Sequence, residues 1–192
     1  MKPHPNPRIR LEQYTTPANV AADILFLAAV VYRDIAGKDV VDLGTGTGRL
    51  AIGAAHMGAR RIAAIDIDPA AIKVAHENSE TAVADVDWIV GDLDAIHGKF
   101  DTVVMNPPFG TKQKHLDKVF LRKAIQIGHV VYSIHKSATR EHIIGYLKRC
   151  QCNVDAIHEY TLELPKMFEH HRKRRYPVRV DLYRVETRQS SL

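Results

Sequence analysis

Cysteine is almost absent: the 192-residue chain has two, Cys150 and Cys152, one position apart. A pair that close does not make an ordinary disulfide framework, which points to a reduced, cytoplasmic protein. A zinc role for the pair with His158 lacks a fourth ligand, so no metal is expected. Long apolar runs are missing too. The longest, Ile24–Val31, falls well short of the roughly 20 residues of a membrane span, and Asp23 and Arg33 flank it. The proline-punctuated start, Met1–Arg10, has no apolar centre and does not read as a secretory signal. There is no internal repeat and no low-complexity linker, and the length fits one domain over 1–192.

Acidic charge is in short supply: 22 Asp and Glu against 27 Lys and Arg give a net charge of +5. The imbalance is local. Lys166–Arg175 carries five basic residues and one Glu, leaving 22 basic against 21 acidic residues elsewhere. Such a cluster suits a polyanion, although a solvated loop has the same composition.

Seven stretches read as strands: Asp39–Leu43, Arg61–Ile67, Val86–Val90, Phe100–Met105, His129–Ile134, Asn153–Leu164 and Tyr176–Glu186. Helical stretches alternate with the first five. Thr16-Pro17 reads as an N-cap followed by proline at the first helical position, opening a helix to about Ile35. Strands alternating with helices imply an α/β fold, a mostly parallel sheet with helices on both faces. The last two strands follow one another without a helix, so at least one antiparallel pair is expected. Ligands of such sheets bind at the carboxyl ends of the strands, where strand order reverses.

The first strand ends in Asp42-Leu-Gly-Thr-Gly-Thr-Gly48 and runs into a helix. Glycines there permit a tight turn and close approach of backbone to a ligand. The spacing is neither that of a dinucleotide fingerprint nor that of a phosphate loop. Asp66 ends the second strand, 20 residues after Gly46. A carboxylate there can accept from both ribose hydroxyls of an adenosine, which suits NAD as well as S-adenosylmethionine. Asp92, after the third strand, could take an adenine amino group, with Leu93 supplying a backbone N–H.

Asn106-Pro107-Pro108-Phe109 follows the fourth strand. An amino group on an aromatic ring donates its lone pair into the ring and is a poor nucleophile. Two acceptors, the Asn106 side-chain oxygen and the Pro107 carbonyl, can hold its N–H bonds and favour a pyramidal nitrogen aimed at a methyl sulfonium. Pro107 and Pro108 stiffen the loop, and Phe109 offers a face for stacking. The proton can leave to solvent after transfer, so catalysis is mainly positioning and charge complementarity.

In that order, the glycine turn, Asp66, Asp92 and the tetrapeptide resemble the amino-methyltransferases of the Rossmann-like class I fold. More narrowly, the chain is similar, from about Arg8 to Val185, to the archaeal and eukaryotic methyltransferase-like protein five family. The matching stretches are Leu11-Glu-Gln-Tyr-Thr-Thr-Pro17, Asp42-Leu-Gly-Thr-Gly, Asn106-Pro-Pro-Phe-Gly-Thr111 and Val131-Tyr-Ser-Ile-His-Lys-Ser-Ala-Thr-Arg-Glu-His142. The resemblance implies a seven-stranded methyltransferase that uses S-adenosyl-L-methionine to make N6-methyladenosine in small-subunit ribosomal RNA. It implies cofactor contacts at Gln13, Thr16, Gly44, Thr47, Arg49, Asp66, Asp92 and Leu93. Tyr14, Asp42, Gly48 and Ile67 complete the candidate set. The N-terminal arm, 1–16, would close the methionine end of the cofactor. The cysteines usual in the glycine turn of eukaryotic members are threonines here, Thr45 and Thr47.

Lys136, Arg140, Arg172, Lys173, Arg174 and Arg175 are the candidate RNA contacts, the last four within a basic loop at 165–176. Eukaryotic members of the family act with a small zinc-containing activator protein that adds a strand beside the third strand. Here that edge is Val86–Val90, and Trp88 is either an interface anchor or a core residue. Two other functions share parts of this pattern. A protein glutamine N5-methyltransferase, or an enzyme of guanine N2 or DNA adenine, needs the same lone-pair chemistry. A non-catalytic RNA-binding module could keep the fold.

Overall fold

The computed structural model describes residues 1–110, 116–165 and 175–187. Seven strands form one sheet: β1 Asp39–Leu43, β2 Arg61–Asp66, β3 Asp87–Val90, β4 Phe100–Met105, β5 Gly128–Lys136, β6 Asn153–Pro165 and β7 Arg175–Glu186. Their order is β3-β2-β1-β4-β5-β7-β6. The first five are parallel to one another, and β7 runs antiparallel to both β5 and β6. The expected architecture and the antiparallel ending are therefore present.

Among the described residues, five α-helices flank the sheet: α1 Ala18–Phe26, α2 Arg49–His56, α3 Pro69–Ala82, α4 Leu116–Ile127 and α5 Arg140–Arg149. Successive strand residues point to opposite faces, so the apolar residues of β1 feed two cores. Val40 packs with Ile24 and Leu25 of α1 and Ala51 of α2. Val41 and Leu43 pack with Leu121 of α4 and Ile143 and Leu147 of α5. Each fully buried aliphatic side chain contributes about 2 kcal/mol.

Two expectations about α1 need correction. The Thr16 hydroxyl does not cap the helix. Pro17 takes the N-cap place without a side-chain bond, and Thr16 Oγ1 accepts instead from Asn106 Nδ2 at 2.9 Å. Nor does the helix reach Ile35. It passes at Leu27–Val31 into a π-helical turn, and Arg33 takes a left-handed φ of 58°. The stop is tertiary in origin: Asp34, just beyond, accepts from Tyr132 of β5 at 2.6 Å and from Arg184 of β7 at 2.9 Å.

Strand order reverses between β1 and β4, which opens a crevice at their carboxyl ends. The β6–β7 hairpin rises beside it. Pairing of β5 with β7 stops at Lys136 and Val180, whereas β6 and β7 stay paired as far as Pro165 and Arg175. At about 3.4 Å per residue the hairpin projects some 17 Å past the end of β5, on the crevice side. Arg172, Lys173 and Arg174 lie outside the described residues, and Arg175 begins β7.

Candidate active site

The crevice is a cavity of about 240 Å³. Its floor is the turn after β1. Gly44 and Gly46 have φ of 70° and 57°, which glycine alone adopts without strain. A Cβ at Gly46 would meet no heavy atom within 4 Å, so this backbone faces open space. Gly48 behaves differently. It has φ 85°, and a Cβ there would lie 2.6 Å from the Trp88 ring. Gly48 does not line the cavity; it is required so that α2 can start against Trp88. Trp88 in turn donates Nε1–H to Ser79 Oγ at 3.2 Å and packs against the core. Trp88 is half-buried at this place.

Three acids mark the rim. Asp42 is 1% exposed, and its Oδ2 accepts from Thr45 Oγ1 at 2.7 Å and the Ala51 N–H at 3.1 Å. Burial pushes its carboxyl up to about 7, with Asp66 adding a smaller push. Asp66 uses one oxygen for the Gly46 N–H at 2.8 Å and the other for the Asp68 N–H at 2.9 Å. Burial raises it as well, against those two bonds. Each of its oxygens keeps a second lone pair for a ligand hydroxyl. Asp92 is exposed and caps the short turn Leu93–Ala95 through the Asp94 N–H. Ile67 and Leu93 supply apolar wall.

Sequence reasoning missed Asp68. It is 1% exposed, and its Oδ1 caps α3 through the Ala70 N–H. Its Oδ2 takes Gln13 Nε2 at 2.9 Å and His4 Nε2 at 3.2 Å. Burial works to raise Asp68, but the bonds from Gln13 and Ala70 and the charge of Arg8 hold its carboxyl below the usual range. This carboxylate ties the N-terminal arm across the cavity mouth. Gln13 is thus occupied at both ends, since its Oε1 accepts from the Arg8 N–H at 2.8 Å. Arg49 completes the tie by donating to the Thr16 carbonyl. The only local signal for this role was Asp68-Pro69, a helix start.

The tetrapeptide sits at the β4 side of the same cavity, where Asn106 and Pro108 line it. Asn106 Oδ1 accepts from Tyr14 O–H at 2.8 Å. Phe109 is 8% exposed, with the Tyr14 ring tilted against it at 5.6 Å and Lys136 Nζ 5.7 Å from its centroid. Its contact with any ligand is therefore confined to a small part of the ring. The Phe109 N–H donates to Glu12 Oε2 at 2.9 Å. Glu12 and the α4 wall formed by Leu116 and Phe120 were not foreseen, because nothing adjacent in sequence connects them to the tetrapeptide.

Of the candidate RNA contacts, Arg140 is held in ion pairs. Its guanidinium bonds Asp181 at 2.7 Å and also Glu159. Lys136 remains at the site. Among the described residues no cluster of ligands could hold a metal ion, and no helix is long and apolar enough to cross a membrane.

Taken together, the sheet order with its reversed ending, the glycine turn and the acid at the tip of β2 define a class I methyltransferase. Comparison narrows this. Residues 21–127 match the methyltransferase small domain family. The chain is 37% identical to the rRNA N(6)-adenosine-methyltransferase METTL5 of Danio rerio, over 93% of this chain and 89% of that protein. It is 33% identical to the Drosophila melanogaster protein of the same name, over 94% and 88%. The crystal structure of Pyrococcus horikoshii PH1948 superposes with a TM-score of 0.91 at 38% identity, covering 97% of this chain and 92% of that one. The chain belongs to the methyltransferase small domain family, in the branch that holds the METTL5 proteins.

Proposed function

We propose that this protein methylates N6 of an adenosine in RNA, with small-subunit ribosomal RNA as the substrate and S-adenosyl-L-methionine as the methyl donor. The observation that carries the reading is the placement of Asn106 on the wall of the cavity whose floor and rim hold Gly44–Thr47, Asp42 and Asp66. The donor set fits the cofactor. Buried Asp42 offers a carboxylate to an α-ammonium, Asp66 offers lone pairs to a ribose diol, and Ile67 and Leu93 offer apolar surface to a purine. Gln13, Thr16 and Arg49 fasten the arm over the same space, and Tyr14, Thr47 and Asp92 line it.

Bound there, S-adenosylmethionine supplies an electrophilic methyl group on a sulfonium. The protein's part is to orient the attacking amine. Asn106 Oδ1 accepts one N–H and the Pro107 carbonyl the other, which withdraws the nitrogen lone pair from the ring. Pro108 keeps the loop rigid. Phe109 meets the base with the exposed part of its ring, and Tyr14 and Lys136 brace the rest. A paired amino group cannot reach this point, so the base enters flipped or single-stranded. The relatives whose names specify rRNA N6-adenosine support the choice of substrate. Lys136 and the basic segment with Arg172, Lys173, Arg174 and Arg175 are the proposed phosphate contacts.

A small zinc-containing activator protein is the proposed partner, adding a strand beside β3. In support, among the described residues β3 pairs only with β2, and Ile67 and Val90 near its end are 59% and 54% exposed. Between β3 and β4 the chain forms only the short turn Leu93–Ala95.

Replacement Asn106→Ala tests the mechanism. Turnover should fall at least a hundredfold, the size of losing an orienting group, while S-adenosylmethionine still binds by calorimetry. Wild-type turnover in this variant would refute the mechanism.

A further inference from the structure

Glu12, Tyr14 and Thr16 occupy alternate positions of the arm, and all three reach the tetrapeptide loop. Tyr14 O–H donates to Asn106 Oδ1 at 2.8 Å, and Asn106 Nδ2 donates to Thr16 Oγ1 at 2.9 Å. The Phe109 N–H donates to Glu12 Oε2 at 2.9 Å. Gln13, between them, turns the other way to Asp68. These contacts join residues 90, 92 and 97 positions apart, so no local propensity produces them. Glu12 is 4% exposed and holds φ 51°, a conformation that costs a residue with a side chain and persists only where its surroundings impose it.

An asparagine amide rotates freely unless both ends are held, and a flipped amide would present N–H groups to an amine that needs an acceptor. Bonds to Oδ1 and to Nδ2 from two different residues fix its plane. The hydroxyl of Thr16 takes the NH2 end. A carbonyl oxygen accepts two bonds, so the single donation from Tyr14 leaves a lone pair for a substrate N–H. The carboxylate of Glu12 fixes the other end of the loop through the Phe109 backbone.

We infer that Glu12, Tyr14 and Thr16 form a positioning clamp, delivered by the N-terminal arm, that sets the Asn106 amide and the Phe109 backbone for methyl transfer. The inference rests on the reading of Asn106 as the acceptor for the target amine. The clamp adds a role to Tyr14 and Thr16, which also line the cavity. Because the same arm is fastened to Asp68 and, through the Lys2 N–H, to Asn78, docking of the arm and readiness of the catalytic loop are one event.

Tyr14→Phe and Thr16→Val each remove one hydroxyl at nearly constant shape. Each should lower kcat about tenfold, the loss of one hydrogen bond of about 1.4 kcal/mol. That loss should persist at saturating S-adenosylmethionine, the KM for RNA should stay within about twofold, and Thr16→Ser should restore kcat. Unchanged kcat, or a loss confined to cofactor affinity, would overturn the clamp. A readout without turnover uses hydrogen exchange of the Asn106 side-chain amide, followed by NMR in the protein alone. Thr16→Val should accelerate that exchange about tenfold. No acceleration would overturn the clamp even if the wild type transferred no methyl group, a failure that belongs to the proposed reaction instead.

Discussion

Asp42 and Asp68 are both 1% exposed, yet they titrate in opposite directions. Asp68 collects donors from the arm and from α3, and these outweigh its burial. Asp42 has Thr45 and the Ala51 N–H on one oxygen only, and burial prevails, pushing it up to about 7 from an ordinary value of 3.8. A carboxyl raised on folding favours the native state while it is protonated. Its contribution is complete below about pH 4 and is lost as pH rises through 7. Asp42→Asn imitates the protonated form and keeps an acceptor for Thr45 and Ala51. In the absence of ligand, Asp42→Asn should therefore be more stable than wild type at pH 8, by roughly 1–3 kcal/mol, with the gap closing towards pH 5. Urea unfolding at both pH values checks this, and a gap independent of pH would contradict it. Asp42 was legible beforehand because the glycine turn begins with it. Glu12 and Asp68 were not, since their importance comes from where the arm travels and not from their neighbours in sequence.

The same division runs through the helices and strands. The seven strands were readable because each alternates or runs apolar between clear turn residues, and the antiparallel ending because no helix separates β6 from β7. The end of α1 was not, because it is set by an ion pair across the fold. Arg184, whose side chain is 8% exposed, bonds Asp34 at 2.9 Å and lies 4.5 Å from the Tyr32 ring centroid, while Tyr132 O–H donates to the same carboxylate. Asp34 thereby joins the turn after α1 to β5 and β7. Asp34→Ala would leave Arg184 with Asp155 and Glu186, which are 40% and 50% exposed and weakly held. It should destabilise the protein by about 3 kcal/mol, as loss of one partner from a buried pair does. A change below about 0.5 kcal/mol in chemical denaturation would show that the link holds nothing. Arg140 is a parallel case. Its bond to Asp181, 41 positions later, has no local signal in the sequence.

The sheet, the arm and the hairpin converge on one edge. The arm closes the cavity on one side, the projecting β6–β7 hairpin stands on another, and the edge strand β3 lies at the opposite end of the sheet from the hairpin. The central claim is the reaction itself. The most direct measurement incubates the wild-type protein, with and without the zinc-containing activator, with labelled S-adenosylmethionine and small-subunit ribosomal RNA, then separates the nucleosides. The account predicts label in N6-methyladenosine. Label in another nucleoside, or only in a protein glutamine, would contradict it.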